Sequence, residues 1–162
     1  INAASLLCVP GMGDKKYVVR NDLLRTVAPM PVFAGEKNFN PHYLIMKLSK
    51  QYRFHPVNQC FCLVEYQPDG MTANIWKQYV NSPRSFAELR RVIMDVPGLT
   101  WQYRLKNIIH YCSSSQIAGN RNYIKESPRK LLTVLCTPAG WVLTGYIRRK
   151  AGVQKCPPKL QS

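Results

Sequence analysis

Residues 131–147 read LLTVLCTPAGWVLTGYI, and the folding of this stretch decides the architecture of the chain. Taken two residues at a time, Leu132, Val134 and Cys136 alternate with Thr133 and Leu135, and Trp141, Leu143 and Ile147 alternate with Val142, Thr144 and Tyr146. Alternation of that kind is the period of a half-buried strand. Between the two runs stands TPAG, residues 137–140, in which Pro138 presets a turn and Gly140 tolerates positive φ. The pattern predicts a β-hairpin. An antiparallel hairpin returns its chain, so Arg129 and Lys130 would lie beside Arg148, Arg149 and Lys150 at its open end. Five positive charges converging there match phosphates, and like charges facing one another across a ladder repel unless an anion joins them.

The charge of the whole chain points the same way. Among 162 residues, 23 Lys and Arg face 8 Asp and Glu, a net +15. The excess is uneven: residues 1–99 hold 12 basic and 7 acidic residues (+5), and residues 100–162 hold 11 basic residues against Glu126 alone (+10). Such self-repulsion opposes compactness and is relieved by a polyanion, whether nucleic acid, anionic membrane or acidic protein. Basic residues are interleaved with aromatic and amide side chains in WQYRLKNIIHY (101–111), in GNRNYIKESPRK (119–130) and in the run after Tyr146. Arg104, Lys106, Arg121, Lys125, Arg129, Lys130, Arg148, Arg149 and Lys150 are therefore the candidate nucleic-acid-binding residues. Contacts of this class go mainly to phosphates, with Arg also able to reach base or ribose edges.

Catalytic chemistry finds little material. The three histidines, His42, His55 and His110, have no nucleophile placed beside them by spacing; His110 and Cys112, two apart on a predicted helix, point in different directions. No nucleophile elbow appears, GMGDKK (11–16) lacks the third glycine of a phosphate loop, and eight acids give paired-carboxylate catalysis thin support. Cys60, Cys62 and His55 could share a zinc ion only if Cys136 or Cys156 arrived from elsewhere, and C-x-C is a weaker signal than C-x-x-C. Neither a metal, a cofactor nor a small-molecule substrate is expected. Six cysteines invite a disulfide framework, but the chain is large enough to fold without one and several cysteines fall inside apolar patterns, which favours thiols.

Elsewhere the chain alternates helices with turns. NPHYLIMKLSKQYRF (40–54) reads as a helix capped by Asn40 and stopped by His55-Pro56; CFCLVEYQPDGMTANIWKQYV (60–80) reads as a second hairpin turning at QPDG. SPRSFAELRRVIMDVPG (82–98) carries a capping box from Ser85 to Glu88, and TWQYRLKNIIHYCSSS (100–115) starts at Thr100 with a stripe of Trp101, Leu105, Ile108, Ile109 and Cys112. On that stripe Trp101 and Leu105 belong to the core and Arg104 and Lys106 do not. APMPVFAGEKNFNP (28–41), with three prolines (Pro29, Pro31 and Pro41), must be extended or turning and lie along another surface. No apolar run reaches the roughly 18 residues that span a bilayer.

The expected fold is thus α+β: an antiparallel sheet built from two β-hairpins, packed against about three helices. Residues 1–40 form an extended N-terminal arm, 41–150 the core domain and 151–162 a basic tail. The expected function is a non-catalytic, structural RNA-binding subunit of a large ribonucleoprotein, with ribosomal RNA and neighbouring subunits as partners. An organellar, mitochondrial ribosome is the expected setting, since a start at Ile1 fits removal of a presequence, as it fits truncation. The alternatives are an accessory subunit of a respiratory membrane complex, facing anionic lipid or acidic subunits, and a secreted disulfide-bonded binding protein.

Overall fold

The computed structural model describes residues 16–57, 59–60, 63 and 74–152. Along the chain run α1 (Asn21–Val27), α2 (His42–Leu48), α3 (Ile75–Asn81), α4 (Pro83–Met94), α5 (Trp101–Ile117), α6 (Tyr123–Glu126) and α7 (Lys130–Lys150). No strand occurs among the described residues. The expected antiparallel sheet is overturned: its hairpin at 131–147 is the single helix α7. Most of the other hairpin lies outside the described residues, and its returning arm is helical from Ile75 onward.

The physics of α7 explains the correction. Read at helical spacing, Leu131, Val134, Leu135, Pro138, Trp141, Val142 and Tyr146 fall on one face, and all of them are exposed. Thr133, Cys136, Gly140 and Ile147 fall on the opposite face and are buried. Pro138 removes one backbone bond from the helix interior. Val134, whose carbonyl would have accepted it, is also on the exposed side. Threonines on the inner side brace the helix: Thr133 Oγ1 donates to the Arg129 carbonyl (2.9 Å), Thr137 to Thr133 (2.8 Å) and Thr144 to Gly140 (2.9 Å). The helix ends where Gly152 takes φ +72°, its N–H donating to the Arg149 carbonyl at 3.2 Å.

Helix α5 lies at the centre, packed on α4 at one side and on α7 at the other. Met94, Ile108, Tyr111, Cys112, Tyr123 and Cys136 form the core where α4, α5, α6 and α7 meet. A second core joins α2 to α4 through Tyr43, Met46, Leu89 and Ile93, and a third brings Ile147 of α7 against Tyr79 and Phe86. The proline-rich segment lies along α3 and α4, as expected of it. Its Glu36 carboxylate accepts from the N–H groups of Arg84 and Ser85, both at 2.8 Å, and from the Ser85 hydroxyl at 2.6 Å. Glu36 therefore caps the N-terminus of α4 from a distant loop. The expected Ser85–Glu88 box does not form, because Ser82 precedes the helix and Pro83 begins it. Glu88 instead holds the Arg91 guanidinium at 2.7 and 2.8 Å.

Thr100 does cap α5, accepting from the Tyr103 N–H at 3.3 Å. Leu105 packs against the core, whereas Trp101, at the first residue of α5, is 58% exposed. The helix expected over 40–54 stops at Leu48, well before His55-Pro56.

Candidate functional site

The inner seam of α7 is made of small and hydroxylated residues. Cys136, Gly140 and Thr144, spaced four apart, face Cys112, Ser113 and Gln116 of α5. Thr144 Oγ1 lies 3.0 Å from Ser113 Oγ and 3.0 Å from Gln116 Oε1, and the Cys112 thiol reaches the Thr133 carbonyl at 3.6 Å. A methyl group added at Gly140 would stand 2.5 Å from Cys112 Cβ, so the absence of a side chain sets how closely the helices approach. At the entrance to α7, the buried Ser127 hydroxyl meets Thr133 Oγ1 at 2.6 Å and accepts from the Arg129 N–H at 3.1 Å.

The outer face is the inverse. Leu131 is 82% exposed, Leu135 75%, Trp141 64% and Val142 76%. No charged side chain occurs from Leu131 to Ile147, while basic residues stand at both ends of the helix. Arg149 lies on the same angular line as Leu131, Leu135, Pro138 and Val142, so the apolar stripe terminates in a guanidinium. Lys150 Nζ sits 5.8 Å from the centre of the Tyr146 ring. Among the described residues α7 is the one helix long and apolar enough to cross a membrane. In the sequence TPAG, residues 137–140, interrupts this stretch, so it does not stand out as one apolar run.

The sequence-derived basic residues are redistributed by this helix. Arg129 and Lys130 stand at its N-terminus and Arg148, Arg149 and Lys150 in its last turn, roughly 30 Å apart at 1.5 Å per residue. The convergence of five charges was a property of the hairpin and goes with it. Arg121 and Lys125 remain near Arg129 in sequence, Arg121 just before α6 and Lys125 within it, and both are exposed. Lys106 is exposed on α5; Arg104 is half-buried and donates to the Val96 carbonyl at 3.3 Å. The five described carboxylates are engaged elsewhere: Asp22 with Arg20, Asp95 with Lys50, Glu88 with Arg91, Glu36 with α4 and Glu126 with the Asn120 amide at 2.7 Å. None of the ion pairs among the described residues uses a cation beyond Arg91, which leaves nine basic residues between 104 and 150 without one.

Two groups with reactive chemistry, His110 and Cys112, are held in their neutral forms by their surroundings. Burial, with Arg90 and Lys106 nearby, pushes the His110 imidazole down to about 4, so it is neutral at pH 7. Burial pushes the Cys112 thiol up to about 11, the opposite of the shift that activates a nucleophile. Cys112 and Cys136 are both buried thiols. His55 and Cys60 are exposed, Cys62 and Cys156 lie outside the described residues, and no group of three metal-ligating side chains occurs among the described ones. A cleft of about 340 Å³ between α4, α5 and the α6 region is lined by Arg84, Glu88, Arg91, Tyr111 and Glu126, in which Arg91 is already held by Glu88.

The apolar outer face was legible, since Leu131, Leu135, Pro138 and Val142 recur at helical spacing, but only to a reading that did not already take 137–140 as a turn. Comparison with family models, with curated proteins and with solved structures gave no match.

Proposed function

We propose that the chain is a non-catalytic structural subunit of a larger assembly, attached to its surroundings through α7. One observation carries this reading: along a 21-residue helix the side turned to the protein is mostly small or hydroxylated, with Ile147 its one fully buried large apolar residue, while Leu131, Leu135, Trp141 and Val142 stand exposed on the other side. Exposed apolar area that is contiguous, rather than scattered, marks an interaction surface. The raised pKa of the Cys112 thiol and the neutral, half-buried His110 support a role without chemistry.

A second reading keeps RNA as the partner, within a ribonucleoprotein such as an organellar ribosome. It is favoured by the nine cations between Arg104 and Lys150 that make no ion pair, which suit a polyanion outside the chain. The test is the size of the protein in a native extract, measured by gel filtration before and after ribonuclease and after mild detergent. A large species is expected; its collapse under ribonuclease supports RNA, and its collapse under detergent alone supports a membrane or apolar partner. A monomer in the untreated extract overturns both readings.

A further inference from the structure

We propose that the outer face of α7 docks on an anionic lipid bilayer, the helix lying along the surface with its apolar stripe among the acyl chains. This rests on the reading of α7 as the attachment element. The first observation is the inversion of the helix. Where water is the solvent, the hydrophobic effect selects large apolar side chains for the inside. Here Ile147 alone of the large apolar side chains is fully buried; Cys136, Gly140 and Thr144 make the rest of the inward seam, and Thr144 binds Ser113 at 3.0 Å, the kind of small-residue, hydroxyl-bonded seam that joins helices whose outside is as apolar as their inside.

The second observation is charge. The stripe between Leu131 and Tyr146 offers nucleic acid no cation, whereas both of its ends are basic. Positive charge only at the ends of an apolar stripe complements anionic headgroups above and acyl chains below. Trp141 and Tyr146 add amphipathic rings suited to that boundary. The helix lies on the membrane rather than crossing it: crossing would strip the hydroxyl seam from α5, or carry the polar side chains of α5 into hydrocarbon.

The test is flotation of the full chain with vesicles of phosphatidylcholine alone and of phosphatidylcholine with phosphatidylserine. Binding to the anionic vesicles is expected. Acyl-chain-brominated lipid should quench Trp141, and Trp141→Phe should remove most of that quenching. Leu135→Gln with Val142→Gln should abolish flotation, and Arg149→Gln with Lys150→Gln should weaken it roughly 30-fold. All four positions are exposed, and a wild-type circular dichroism spectrum shows that each variant folds. Flotation that survives the Leu135/Val142 variant overturns the proposal, as does failure to bind anionic vesicles. Retention in the bilayer through alkaline carbonate overturns the surface-lying geometry in favour of a spanning helix. A dimer that the same variant dissociates assigns the stripe to a second copy and overturns lipid as its occupant. A native assembly dissolved by ribonuclease and not by detergent, with no vesicle binding, sinks this inference alone; a native monomer sinks the structural-subunit reading as well.

Discussion

The two faces of α7 share a backbone and almost nothing else. Ile147 is fully buried against Tyr79 and Phe86, while Leu135, three turns earlier, is 75% exposed. One face positions the helix; the other is left with no folding duty. The comparison teaches that hydrophobicity alone does not report where the core is. Exchange of one large aliphatic residue on each face gives the largest contrast. Ile147→Ala should destabilise the protein by about 2–5 kcal/mol, through lost burial and an unfilled cavity. Leu135→Ala should stay within about 0.5 kcal/mol. Urea denaturation of the two variants checks this, and equal losses would mean that the outer face packs inside the protein in solution.

The same asymmetry explains what could be read from the sequence. Thr100 as a cap and Ile108 and Cys112 as core were legible, because capping and a helical stripe are local signals. In 131–147 two local signals conflicted. Thr, Val, Cys and Trp suit strands and TPAG suits a turn, yet Leu131, Leu135, Pro138 and Val142 keep helical register, the last turn is basic and Gly152 stops it. Contact with α5 resolved the conflict, and contact across helices is not a local property. The basic residues were legible as composition, but their grouping depended on the fold and changed with it. Glu36 capping α4 spans 48 residues to Arg84, a distance over which no spacing rule operates.

The contrast between protected and exposed surfaces extends to pH. No acid or imidazole lies on the outer stripe, whereas α5 holds His110 against Tyr79, their ring centres 5.8 Å apart. Burial and the neighbouring Arg90 and Lys106 hold the folded imidazole at about 4 against an ordinary 6.5. Between those values the unfolded chain binds a proton that the folded chain refuses. Stability is therefore fully present above about 6.5 and is lost as pH falls toward 4, by an amount on the order of 3 kcal/mol. His110→Gln removes this component. Denaturation midpoints at neutral and acid pH should converge in the variant relative to wild type, and an unchanged pH slope would show that His110 is protonated in the fold.

The finest test of the two faces uses two glycines in α7, five residues apart. Both weaken a helix for the same reason, the extra conformational freedom of the unfolded chain. Their surroundings differ. A Cβ at Gly140 would stand 2.5 Å from Cys112 Cβ and 3.3 Å from the Ser113 nitrogen, a contact that requires α5 and α7 to separate. A Cβ at Gly145 would meet nothing within 4 Å. Gly140→Ala should then cost about 1–3 kcal/mol, the overpacking at the seam exceeding the gain in helix propensity. Gly145→Ala should raise stability by about 0.5–1 kcal/mol, because only the propensity changes. Thermal melts of the pair in one buffer read opposite signs if α7 packs as described. Two stabilised variants would show that the seam does not close at Gly140; two destabilised ones would show that Gly145 is covered, and that the outer face of α7 is an interface within the folded protein rather than one toward its surroundings.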